Sequence, residues 1–229
     1  GYIRVNPADA AVTPRVEKKQ VETLDAEDIG KFLAAIRGTK YEYPLFVAVF
    51  TGLRQGELLG LTWDCVDFEH GMLLINKQHN RVKGDTEFRF ASLKNDKARV
   101  LTVADEVIDV LKLQKQRQKS WAAALGNGWE NPDNLVFTTE FGRYINNKIL
   151  YQNFKRIAKK LGKPDLRFHD LRHTYAVNSL RAGDDIKTLQ ENLGHATASF
   201  TLSTYAHATP GMKRESAKRM TDFIRTVQG

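Results

Sequence analysis

The chain has 229 residues, with 35 Lys and Arg against 27 Asp and Glu for a formal charge of +8. That length allows one large domain or two small ones around a substantial core, and the moderate basic excess is compatible with a polyanionic partner. A single cysteine, Cys65, excludes an internal disulfide framework. The apolar run from Pro44 to Phe50 is far shorter than the about 20 residues of a membrane span, and no apolar signal core opens the chain, so a cytoplasmic protein is expected.

Residues 1–20 read as a linker. Asn6-Pro7 and Thr13-Pro14 break helices, and Arg15 to Gln20 is nearly all polar. The first helix starts at Asp25, an N-cap with Asp28 three residues on, and runs through Ile29, Phe32, Leu33 and Ile36 to Gly38. Two apolar helices follow at about 42–52 and 55–61. Met72 to Ile75, Glu87 to Ala91 and Arg99 to Val103 read as strands, with a long charged hairpin insert at 77–89. A helix covers Ala104 to Ser120, and Trp121 to Asn134 reads as a Gly- and Asn-rich loop. Leu135-Val136-Phe137 reads as a short strand, and helices follow at about 146–162, 169–182, 185–193, 197–204 and 211–227. The predicted fold class is mixed, mainly α with a small antiparallel β-sheet.

The stretch His169-Asp170-Leu171-Arg172-His173, then Leu193-Gly194-His195 and Tyr205, carries most of the chemical information. Residues three apart share a helix face, so His169 and Arg172 can face one oxyanion together. Guanidiniums hold non-bridging phosphate oxygens with paired hydrogen bonds, and imidazoles donate or move protons near neutral pH. Tyrosine, with a phenol pKa near 10, becomes a useful nucleophile only beside cations and a base. Arg54, in Thr51-Gly52-Leu53-Arg54-Gln55-Gly56-Glu57, supplies a second guanidinium, and Glu57 is placed one turn on to orient it.

Singly, each of these residues is an ordinary surface or capping group. His169 and His173 stand four apart, a spacing that also suits zinc, but the intervening Arg172 opposes a metal. Of the seven tyrosines, Tyr41, Tyr43, Tyr144 and Tyr151 read as packing or surface aromatics.

Taken together, the motifs resemble the tyrosine recombinase family, the phage-type integrases, from about Glu22 to the C-terminus and in family order. The linker and the 77–89 insert look most like integrases of conjugative transposons and related phages of Gram-positive bacteria. The resemblance implies the catalytic-domain fold of DNA breaking-rejoining enzymes over 21–229, with Arg54, Lys94, His169, Arg172, His195 and Tyr205 as the catalytic set. Lys94, before the Asn95-Asp96 turn, matches the family's general acid; Lys97 competes, and Lys83 is more distant. Tyr205 would form a 3′-phosphotyrosyl link with double-stranded DNA, and a freed 5′-hydroxyl would attack a second such link, with neither metal nor ATP as cofactor.

The resemblance also implies a homotetramer on DNA, joined by exchange of the C-terminal helix at 211–227, and an accessory excision protein. It implies a separate N-terminal DNA-clamping domain upstream, so the chain reads as a fragment. A type IB topoisomerase and a non-catalytic DNA-binding module are the competing readings.

Overall fold

The computed structural model describes residues 22–81, 88–92, 98–194 and 210–228. Helix α1 (Ala26–Ile36) begins where Asp25 accepts a hydrogen bond from the Asp28 N–H at 2.9 Å, and Phe32 and Ile36 enter the core. Helix α2 (Glu42–Thr51) is apolar on nearly every side and runs through the interior. It ends at Gly52 in the left-handed conformation, φ 63°. Helix α3 (Gln55–Leu59) follows after two residues and buries Leu58 and Leu59.

Strands β1 (Val66–Asp67), β2 (Met72–Ile75) and β5 (Arg99–Thr102) form an antiparallel sheet in the order β1-β2-β5. Leu73 pairs with Leu101 and Ile75 with Arg99. Alternation therefore turns Leu73, Ile75 and Leu101 inward and leaves Leu74 and Val100 outside. Strands β3 (Lys77–Arg81) and β4 (Phe88–Ser92) form a separate hairpin, Lys77 opposite Ser92. A hairpin thus stands at the position of the expected insert, with paired strands that reach Ser92, beyond 77–89. Its base is fastened to the protein. His79 is fully buried and stacks on Tyr144 with ring centroids 4.4 Å apart. A Cβ at Gly60 would lie 2.9 Å from the His79 nitrogen, so glycine permits this close approach of β3 to the end of α3.

Two expectations are corrected downstream of the sheet. Helix α4 (Asp105–Leu125) continues five residues past Ser120, taking the start of the expected 121–134 loop. Trp121 faces Arg117 one turn earlier, Ala122 to Ala124 are strong helix formers, and Gly126 ends the helix. Leu135 to Phe137 forms no strand: Leu135 makes a single bridge to Thr62, and Val136 and Phe137 lie in a bend. Side chains from α4 take the place of a neighbouring strand. Gln118 donates to the Leu135 and Val136 carbonyls, each at 3.0 Å, and Gln114 donates to Val136 at 2.9 Å.

Helices α5 (Asn147–Lys160), α6 (Asp170–Ala182) and α7 (Ile186–Leu193) complete the core. Leu171 belongs to the main apolar cluster, whereas Ala176 and Leu180 join a second one with Leu189 and Leu193. Helix α6 lies between the two and is covered on several sides, which places its polar residues in the interior. The helix Pro210–Gln228 exposes Met220, Phe223, Ile224 and Val227, an apolar stripe at i, i+3, i+4 and i+7. Among the described residues, no helix is long and apolar enough to cross a membrane.

Candidate active site

The backbone places Arg54 as the N-cap of α3, in an extended conformation. Its own N–H donates to Glu57 Oε2 at 3.0 Å, and its Nη1 donates to Glu57 Oε1 at 2.8 Å. The local sequence enforces this, because an acid three residues after an N-cap reaches back to the cap's N–H. Arg54 keeps about a third of its side-chain surface exposed, while Glu57 has none. Burial pushes the Glu57 carboxyl up, but hydrogen bonds and charge from Arg99, with further help from Arg54, hold it below the ordinary carboxylate range.

Arg99 was not singled out from the sequence. Its Nη1 and Nη2 donate to Glu57 Oε1 and Oε2 at 3.1 and 2.8 Å, and its Nε donates to the Asn192 carbonyl at 2.9 Å. A signal was available: Arg99 stands two residues before Leu101 on one strand, so both side chains leave the same, core-facing side.

His169 is the N-cap of α6 rather than part of its first turn, but its helical backbone angles preserve the expected geometry. Asp170 is buried and accepts from the Arg167 N–H at 2.7 Å and from its guanidinium, an ion pair rather than a cap on α6. Arg172 is 2% exposed. It donates from Nη1 to the Gly52 carbonyl at 3.0 Å and from Nη2 to the Leu193 carbonyl. It therefore joins the loop before Arg54 to the end of α7, just before Gly194-His195.

The two imidazoles meet edge to face, with ring centroids 5.0 Å apart. Burial, then the charge of Arg172, holds the His169 pKa below its ordinary value. Burial, then His169, pushes His173 down to about 4. Both rings are therefore neutral at pH 7, and each can offer one donor and one acceptor nitrogen.

Glycines let these segments close. A Cβ on Gly52 would lie 2.7 Å from Tyr175 Cδ1. Gly194 caps α7 with φ 64°, and a Cβ there would lie 3.0 Å from Arg99 Cδ. The Leu-Gly expected to stop a helix does so at this point. Lys94, its competitors Lys97 and Lys83, His195, Tyr205 and the helix expected at 197–204 lie outside the described residues. Among the described residues, no cluster of three or more His, Cys, Asp or Glu is placed to hold a metal ion.

Comparison with known proteins gives this arrangement a family. The Phage integrase family model matches residues 18–212. The chain is 32% identical to a "Tyrosine recombinase XerC-like" protein of Caldanaerobacter subterraneus subsp. tengcongensis, covering 98% of this chain and 61% of the relative. It is 28% identical to "Transposase A from transposon Tn554" of Staphylococcus aureus, covering 89% of this chain and 54% of that protein. The chain thus spans somewhat over half the length of these curated relatives. Among solved structures, the Tn1549 transposon integrase, residues 82–397 in complex with transposon right end DNA, superposes with a TM-score of 0.78. That pair shares 25% identity over 96% of this chain and 72% of the other. The polar interior of α6, the Arg54–Glu57 cap and these matches lead to one conclusion: the chain belongs to the phage integrase family of tyrosine recombinases.

Proposed function

We propose that the chain is the catalytic part of a site-specific DNA recombinase that integrates or excises a mobile element. The observation that carries this reading is the Arg172 fork, which fastens the Arg54 loop and the turn before His195 to the helix bearing His169. Family membership and the recombinase, integrase and transposase names of its relatives favour recombination over topoisomerase action or a purely DNA-binding role.

In the proposed reaction, Tyr205 Oη attacks the scissile phosphorus as the bond to the 5′ oxygen breaks. Arg54 and Arg172 stabilise the charge that develops on the non-bridging oxygens, and His169 and His195 donate to the same oxygens or take the phenol proton. Lys94 delivers a proton to the departing 5′ oxygen. The phosphotyrosyl link conserves the energy of the broken bond, so a second 5′-hydroxyl can displace Tyr205 without ATP.

Around this reaction, residues 1–20 serve as a linker to an upstream DNA-clamping domain, and an accessory excision protein is a further partner. The exposed Met220, Phe223, Ile224 and Val227 supply an apolar face through which the C-terminal helix docks on a neighbouring copy in a tetramer. The test is a denaturing gel of the protein with a nicked suicide duplex. A covalent protein–DNA band is expected, and Tyr205→Phe retains DNA binding but gives no band. An undiminished adduct in Tyr205→Phe excludes this residue as nucleophile.

A further inference from the structure

Three segments of the proposed catalytic set converge on a residue that the reaction above does not use. Arg99 lies on β5, five positions after Lys94 in the chain. Its guanidinium grips both oxygens of buried Glu57, which in turn holds the Arg54 N–H and guanidinium. Its Nε holds the Asn192 carbonyl, and its stem fills the space beside Gly194, immediately before His195. Only 8% of the Arg99 side chain is exposed. A buried ion cluster of this kind is a weak source of stability, because desolvating the charges offsets their attraction. Its value lies in geometry and charge.

We infer that Arg99 is a positioning residue that sets the placement of Arg54, through Glu57, relative to the end of α7 at Asn192 and Gly194. It also keeps the Arg54 site cationic. This rests on the recombinase reading above. With Arg54 and Glu57 alone, the pair would be neutral. With Arg99 added, two guanidiniums share one carboxylate, and a net positive charge remains for a phosphate. Among the described residues, the charged groups acting on Glu57 are Arg54 at the start of α3 and Arg99 from β5, while the neutral Asn192 carbonyl of α7 holds Arg99 from its other side. Without Arg99, burial acts on Glu57 against the weaker hold of Arg54 alone, and its carboxyl takes up a proton at a higher pH than in the unaltered chain. Lysine at this position keeps a charge but lacks the planar fork that spans two oxygens and a carbonyl.

The test compares the unaltered chain with Arg99→Met and Arg99→Lys. Single-turnover adduct formation on the nicked duplex is followed from pH 5.5 to 8.5, alongside DNA affinity, urea melts and a carbon NMR titration of Glu57 without DNA. Arg99→Met is expected to slow adduct formation roughly tenfold to hundredfold, the scale on which outer partners orienting a reactive group act. DNA affinity holds, and an acid limb absent from the unaltered chain emerges as Glu57 protonates. Arg99→Lys restores the pH profile but only part of the rate.

Adduct formation in Arg99→Met at the unaltered rate and pH profile overturns the inference. So does a loss that merely tracks the unfolded fraction in the urea melt. If Arg99→Met does not fold, a full rate in Arg99→Lys overturns the role of the fork. If the unaltered chain forms no adduct, the recombinase reading falls. The inference is then decided by the Glu57 titration, and an unshifted carboxyl in Arg99→Met overturns it.

Discussion

Arg172 reaches 120 positions back along the chain to donate from Nη1 to the carbonyl of Gly52 at 3.0 Å. A residue from the penultimate core helix thereby fixes the loop that presents Arg54. The same guanidinium donates to the carbonyl of Leu193, so one buried side chain sets the spacing of two segments that no local sequence rule connects.

Arg54 and Arg172 are expected to separate in their effects on stability. Arg172→Ala strands two buried carbonyls and leaves a cavity, and should cost about 3 kcal/mol or more. Arg54→Ala removes a partly exposed pair member while Arg99 still holds Glu57, and should cost within about 1 kcal/mol. Both should slow strand cleavage by about a hundredfold or more. Urea melts and single-turnover cleavage measured together check the contrast. Equal destabilisation by the two variants would refute it.

Gly52→Ala should destabilise the chain by roughly 1–3 kcal/mol, because the added Cβ meets the Tyr175 ring and the backbone is left-handed. Adding Tyr175→Leu should recover the steric share and leave the backbone cost of about 1 kcal/mol. Thermal melts of the single and double variants test this division. No recovery in the double variant would mean that backbone strain accounts for the loss.

The neutral histidines predict an acid-sensitive fold. His173 holds its proton more weakly when folded, with a pKa of about 4 against an ordinary value of 6.5. The unfolded chain therefore binds more protons between these values. Stability from this group is complete above pH 6.5, declines as the pH falls through that window, and levels off below about 4. The total change is roughly 3 kcal/mol, and the lowered pKa of His169 adds to it in the same direction. Urea denaturation at pH 7, 5.5 and 4.5 should show the decline, and His173→Gln should flatten it. An identical slope in that variant would assign the acid sensitivity elsewhere.

Lys94 as general acid predicts a selective rescue. A substrate with sulfur at the bridging 5′ position has a leaving group that needs no proton. Lys94→Ala should therefore cleave ordinary DNA slowly and the sulfur substrate at nearly the unaltered rate. If Lys97→Ala shows that rescue instead, the role belongs to Lys97.

The sequence alone determined the elements whose signals are local. Asp25 and Asp28 marked the start of α1, the Leu193-Gly194 step marked the end of α7, and the Arg54–Glu57 spacing foretold a pair that the structure contains. Motif order was enough to name the family. The end of α4 and the state of Leu135 to Phe137 were not legible, because both depend on partners distant in sequence. Gln114 and Gln118 satisfy that segment's carbonyls where a strand would otherwise be needed. Only the tertiary structure joined Arg172 to Gly52 and Leu193, and Arg99 to Glu57 and Asn192. Periodicity specifies which face of an element is buried. The groups that meet on that face are chosen by the packing of the whole chain, since most buried donors and carbonyls find their partners somewhere in it.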